Sequence, residues 1–216
     1  MEKLVCVEGV AAPFVLANVD TDMLIPKQFL KSPSRTGYGP ALFYELRYFP
    51  DGSERPDFIL NMDGYRNARI LIGGDNFGCG SAREHAPWAV AQYGIRCVIA
   101  PSFGDIFENN CFLNSILPIR LDRAVVERIA RLVEHPATSW IKVSLQEQTL
   151  QLADGQIISF SIDPYKRHNL LEGRDAIAST LLYENDIAEF EAGHWFENPW
   201  LHPLVIRDST QKERDL

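Results

Sequence analysis

The chain has 216 residues, with 21 Lys or Arg against 29 Asp or Glu, a formal charge of −8, and 46% hydrophobic and 11% aromatic content. That profile fits a globular protein with one large domain or a domain with appendages, long enough to build a core without staples, and it argues against a multidomain enzyme. An acidic balance with no block of Lys or Arg argues against a nucleic-acid groove, which draws on clustered positive charge, and leaves small anions to individually placed arginines.

The four cysteines, Cys6, Cys79, Cys97 and Cys111, show no CxxC or Cys/His spacing. A disulfide framework, a zinc site and an iron–sulfur cluster held by this chain alone are therefore disfavoured, and no cofactor bound by this chain is expected. No apolar run reaches the roughly 18 residues that a membrane span needs. The apolar stretch over 10–17 follows Glu2 and Glu8, is interrupted by Pro13 and lacks a basic leader. No signal peptide is expected, and the cytoplasm is the expected location.

In chain order, NVDTDMLIP over 18–26 sets Asp20 and Asp22 before a hydrophobic step. Such a pair suits a metal site, an active-site acid or an Asx turn, and spacing alone favours the turn. Residues 32–56 are irregular and rich in Gly, Pro and aromatics, too long for a plain connector. From Ala68 onward, short apolar runs alternate with helix-period segments, the signature of βα units around a parallel sheet. The pattern predicts a strand over 70–72, a helix over 84–93 ended by Gly94, and a strand over 97–100. Next come a helix capped by Ser102 with Asp105 and running to about Leu113, and a strand over 116–119. A helix opened by Asp122 follows, with Val125, Val126, Ile129, Leu132 and Val133 on one face, stopped at His135-Pro136. Segments 141–143, 149–152 and 157–160 read as antiparallel strands, the last two joined by a tight turn at Ala153-Asp154-Gly155. Two short helices are expected over 173–195 and a loosely held tail over 198–216. Asn109, Asn110 and Asn114 lie on a core-forming segment, where amides usually satisfy backbone, and are assigned no chemistry.

The run GGDNFGCGSAREHA over 73–86 places four of the 14 glycines within eight positions, between a strand and a helix. α/β proteins bind ligands at such a junction. The run lacks the Lys-Ser/Thr of a P-loop and the third glycine of a dinucleotide fingerprint. Its glycines suit the approach of backbone N–H groups to an anion at a helix N-terminus. Ser81 fits a capping box with Glu84, but a helix starting there would carry Pro87 too deep, and the alternative is a helix that begins later and leaves Ser81 and Arg83 in the loop. Arg83 is either solvated surface or a guanidinium fork for a carboxylate. His85 reads as an ordinary helix-start histidine.

Taken together, NVDTDMLIPKQFLK, GGDNFGCGSAREHAPWAV and SFGDIFENNCFLNSILPI, in this order and spacing, resemble the small-subunit family of bacterial 3-isopropylmalate dehydratase, within the aconitase superfamily. The GSxREH signature belongs to the swivel domain of that superfamily. The resemblance implies an α/β fold, a three-layer β/β/α swivelling domain, over residues 1–197 with a recognition loop at about 30–56. It also implies a heterodimer with a large subunit that carries a [4Fe–4S] cluster, and a hydro-lyase reaction of leucine biosynthesis on a small dicarboxylate. It maps the catalytic base onto Ser81, a carboxylate-binding and base-supporting arginine onto Arg83, and an acidic residue that sets protonation or geometry onto Asp22. Arg35, in the RTGYG stretch of the loop, matches the substrate-recognition segment, and Gly80 and Ala82 flank the base as substrate-binding positions. Leu24, Ile25 and Leu30 are expected to meet an isopropyl group. The alternatives are the small subunit of a methylmalate/citraconate-type hydro-lyase, and a non-enzymatic subunit that holds phosphate on the glycine loop.

Overall fold

The computed structural model describes residues 1–31, 34–81, 83–198 and 200. Ala82 and nearly all of the expected tail over 198–216 lie outside the described residues. The chain divides into two units, Met1–Asp175 and Ala176–Leu216.

The first unit is organised by a mixed sheet. Its strands are β1 (Cys6–Phe14), β2 (Ile70–Gly73), β3 (Cys97–Ala100), β4 (Leu117–Arg120), β5 (Trp140–Ser144), β6 (Thr149–Gln151) and β7 (Ile157–Ser159), in the order β4-β3-β2-β1-β5-β6-β7. The expected parallel series is present, β2 to β3 to β4, and so is the antiparallel flank of β5, β6 and β7. Leu152 N–H donates to the Gln156 carbonyl at 2.9 Å, closing the turn foreseen at Ala153-Asp154-Gly155.

β1, which the sequence pattern did not mark as a strand, joins the two halves. Cys6 to Val10 pair antiparallel with β5, and Ala11 to Phe14 pair parallel with β2. Pro13 is tolerated because of this handover. The Ala11 N–H points to the Ser139 carbonyl at 2.8 Å, so the Pro13 nitrogen, two residues on, faces the same side, beyond the end of the β5 ladder.

Alternation along the strands feeds two cores. Ala12, Leu71 and Val98 face one core, shared with α3 (His85–Tyr93), α4 (Asp105–Leu113) and the irregular segment around Leu24, Ile25, Leu42 and Phe43. Ala11, Ile70, Ile72, Cys97, Ile99, Leu117 and Ile119 face the other. There they meet α5 (Arg123–Val133), through Val126, Ile129, Ala130 and Val133, together with Ile141, Val143 and Leu150 of the antiparallel strands. The sheet is thus covered on both faces, as the layered expectation requires, and each fully buried Leu or Ile contributes roughly 1.5–3 kcal/mol.

Two local readings change. The Ser102 side chain does not cap α4, whose N-cap position is Gly104 without a side-chain bond. The Ser102 hydroxyl instead accepts the Asn76 N–H at 2.8 Å, which ties it to the glycine turn. A further helix, α6 (Pro164–Glu172), had no apolar stripe to announce it, since Leu170 is its one buried residue. Its punctuation is nevertheless complete: Asp163 accepts from the Lys166 N–H, Pro164 opens the first turn and Gly173 closes the end at φ +68°.

The second unit carries α7 (Ala176–Thr180), a 3-10 turn at Leu181–Tyr183 and α8 (Glu184–Glu197). No helix among the described residues is long and apolar enough to cross a membrane.

Candidate active site

The glycine turn leaves β2 and lies between the two segments that follow β1 and β3, with a single β-bridge to each. Gly78 and Cys79 N–H groups donate to the Val19 carbonyl at 2.7 and 3.2 Å, and the Cys79 carbonyl accepts from the Thr21 N–H at 2.9 Å. On the other side, Phe77 N–H donates to the Ser102 carbonyl at 3.0 Å, and the Phe77 carbonyl accepts from Gly104 N–H at 2.9 Å. Asn76 adds a side-chain tie to Asn18 at 2.8 Å. The turn is therefore a backbone-built platform at the carboxyl ends of β1, β2 and β3, where open α/β sheets present their sites.

Glycine is required here for a definite reason. Gly78 has φ +75°, and a Cβ on it would come within 2.2 Å of the Phe107 ring. At Gly80, φ is +94° and the nearest atom to such a Cβ is 3.5 Å away, so the demand is on conformation rather than space.

This platform corrects the anion-cradle expectation. The N–H groups of Asn76, Phe77, Gly78 and Cys79 are all taken by acceptors within the chain. Those four amides are therefore not offered to an anion, and the reading of the turn as a phosphate cradle loses these donors.

α3 begins at His85, with Glu84 at the N-cap position, and Pro87 falls in its first turn. Ser81 therefore caps nothing. It is exposed, its carbonyl accepts from the Thr21 hydroxyl at 3.2 Å, and among the described residues no side chain bonds its own hydroxyl. Arg83, in the same loop, is only 19% exposed and its Nη1 donates to Asp22 Oδ1. Asp22 lies on α1 (Thr21–Leu24), where Asp20 is the N-cap and accepts from the Met23 N–H at 2.7 Å. The Asx-type reading holds for Asp20, and the functional one remains for Asp22. Lys27 Nζ lies 3.8 Å from the other Asp22 oxygen, so Asp22 stands between two cations. Sequence reasoning missed Lys27, although its place directly after Pro26 in the motif was a usable signal.

Beside this pair opens a cavity of about 420 Å³ lined by Asp20, Asp22, Lys27, Gln28 and Glu45 among others. Three carboxylates against one ammonium make a poor receptor for a dicarboxylate, so binding falls to arginines and to whatever closes over the site. Arg35 is exposed, with its guanidinium over the Trp88 ring of α3 at 5.5 Å and its carbonyl accepting from the Gln92 side chain at 2.7 Å. The expected substrate-recognition loop is a folded segment. It contains a 3-10 turn at Gly39–Ala41 and α2 (Tyr44–Arg47), and the buried Arg47 donates to Asn61 Oδ1 at 3.1 Å while Asn61 Nδ2 donates to the Arg47 and Arg55 carbonyls. Leu24 and Ile25 are fully buried core residues, which overturns their expected contact with an isopropyl group, and Leu30 is partly buried against the same core.

The donor set of this chain does not fit an iron–sulfur cluster. Cys97 and Cys111 sit in the two separate cores, where burial pushes both thiols far above their ordinary range. Among the described residues no group of three or more His, Cys, Asp or Glu is arranged to hold a metal ion.

Comparison with known proteins places the chain in a family. Residues 1–124 match the family described as "Aconitase C-terminal domain". The 3-isopropylmalate dehydratase small subunit of Paramagnetospirillum magneticum is 53% identical over 201 residues, covering 93% of this chain and 100% of that protein. Its counterpart in Afipia carboxidovorans is 52% identical with the same coverage. The solved 3-isopropylmalate dehydratase structure from Methanocaldococcus jannaschii superposes with a TM-score of 0.61 at 21% identity, covering 87% of this chain and 99% of that one, a likeness of fold. The chain belongs to the 3-isopropylmalate dehydratase small-subunit family, built on the aconitase C-terminal domain.

Proposed function

We propose that this chain is the base-bearing half of a hydro-lyase that interconverts 2-isopropylmalate and 3-isopropylmalate in leucine biosynthesis, in a heterodimer with a large subunit. The observation that carries the reading is the Arg83–Asp22 ion pair. It joins two motifs 61 positions apart beside an exposed Ser81, at the end of a rigid turn.

The reaction removes a proton from the carbon next to a carboxylate while hydroxide leaves the neighbouring carbon. A carbon–carbon double bond forms, and water then adds in the opposite sense. Ser81 takes the proton as its base. A serine is a weak base in water, and here its exposed position makes it available for burial against the partner, where excluding water strengthens the pull of the nearby guanidinium that favours the alkoxide over the cost of desolvating it. Arg83 has five N–H donors, and Asp22 engages one nitrogen, so the fork retains capacity for a substrate carboxylate. Asp22 and Lys27 hold that fork in place. Arg35 binds the second carboxylate from the recognition segment, and Gly80 and Ala82 supply the backbone beside the base. The Lewis acid for the leaving hydroxyl is a [4Fe–4S] cluster on the large subunit, which matches a chain whose own cysteines are unsuited to one.

The test is reconstitution. With the large subunit of its source added, the ultraviolet absorbance of the unsaturated intermediate should rise, and neither chain alone should produce it. A stable complex of both chains with no such absorbance from either isomer would overturn the reading.

A further inference from the structure

The segment that carries Arg35 is fastened to α3 by side chains, and the fastening points share one stripe of that helix. His85, Trp88 and Gln92 stand at i, i+3 and i+7, on a stripe beside the buried Ala86, Ala89 and Val90. Gln92 uses both ends of its amide. Its Oε1 accepts the Tyr38 N–H at 2.8 Å, and its Nε2 donates to the Arg35 carbonyl at 2.7 Å. One turn earlier, the Trp88 ring lies under the Arg35 guanidinium at 5.5 Å and against the Tyr38 ring at 5.8 Å. The Tyr38 hydroxyl donates back to the Ser34 carbonyl at 2.8 Å. Gly39 lets the two backbones close, since a Cβ there would stand 2.6 Å from the Gln92 carbonyl oxygen.

The same helix starts two residues after Arg83. α3 therefore meets one arginine of the site at its entry and grips the other two turns later. We infer that Gln92, with Trp88, is a positioning residue: it sets where the Arg35 guanidinium stands relative to Arg83, and so sets the affinity for a substrate with two carboxylates. This rests on the reading above, in which both arginines bind the dicarboxylate. Gln92 is itself exposed, so its hydrogen bonds serve the segment rather than the helix core.

The experiment is Gln92→Met, which keeps length and helix propensity but removes both hydrogen bonds. In the complex with the large subunit, KM for 3-isopropylmalate should rise about tenfold while kcat stays within about twofold, the pattern of lost positioning in the ground state. Added to Arg35→Ala, the substitution should raise KM no further, because it acts through Arg35. Trypsin cleavage of the full chain at the Arg35–Thr36 bond, followed by mass spectrometry, should accelerate by about the same factor without any reference to catalysis. An unchanged KM in Gln92→Met, alongside a raised KM in Arg35→Ala, overturns the inference and leaves the functional reading standing. An unchanged cleavage rate overturns the clamp itself. An inactive wild-type mixture is a separate failure, which removes the functional reading and the affinity claim with it.

Discussion

The two arginines assigned to the substrate stand on segments built by different means. The glycine turn before Arg83 is held by main-chain bonds from Phe77, Gly78 and Cys79 to the Val19 and Ser102 carbonyls, with glycines where a side chain would collide. The segment around Arg35 is held by side chains: the Gln92 amide, the Tyr38 and Trp88 rings, and the buried Arg47–Asn61 pair. A backbone-built support tolerates little change in shape and gives Ser81, the proposed base, a fixed point of attachment. A side-chain support leaves the backbone free to follow sequence change, which suits the part of a site that selects the substrate.

The comparison is broken most forcefully at Gly78. Gly78→Ala should destabilise the chain by about 3 kcal/mol, from a left-handed φ and a Cβ set into the Phe107 ring. Thermal unfolding should shift down by roughly 6–12 °C, and a shift under about 2 °C would mean the turn is softer than its bonding implies. On the other segment, Asn61→Leu leaves the buried Arg47 guanidinium short of an acceptor and the Arg47 and Arg55 carbonyls short of a donor. The expected cost is about 2 kcal/mol in urea unfolding. The catalytic loss should fall mainly on KM.

Asp22→Asn sharpens the contrast at the site itself. Asp22 is 44% exposed, so unfolding stability should move by less than about 1 kcal/mol. Activity in the complex should nevertheless fall about tenfold or more, as Arg83 loses the partner that orients its fork. Arg83→Lys should be at least as harmful, because a point charge cannot replace the planar guanidinium. The smallest effect lies at the rim of the recognition segment. Hydrogen bonding from Arg66 holds the Glu54 carboxyl below the usual glutamate range. The associated stabilisation is complete above the unfolded glutamate value of about 4.3 and is lost as pH falls through the lower folded value. An NMR titration of the Glu54 side chain should find that lowered midpoint, and Arg66→Ala should restore it.

The same contrast explains what the sequence made legible. The parallel strands, α3, α5 and the hairpin announced themselves because apolar period and terminal glycines report directly on backbone geometry. β1 was hidden, because Gly9 and Pro13 interrupt a strand that changes partners midway, and no local pattern encodes that exchange. Ser81, Arg83 and Asp22 were legible through motif resemblance, and the structure brings Arg83 and Asp22 together. Leu24 and Ile25 were misassigned because an apolar residue beside a motif looks the same whether it faces a ligand or the core; both are fully buried. Gln92 carried no signal, since both of its hydrogen bonds reach residues more than fifty positions away, whereas Lys27, five positions from its partner Asp22, could have been read from its place after Pro26.

The central claim is that Ser81 moves the substrate proton. The direct measurement is exchange of that hydrogen with solvent deuterium in the complex assembled from this chain and the large subunit, comparing wild type with Ser81→Ala. The account predicts that the variant still assembles and binds substrate, yet exchanges about 10² to 10⁴ times more slowly, the range that a positioned base contributes. Exchange at the wild-type rate in an intact Ser81→Ala complex would contradict it.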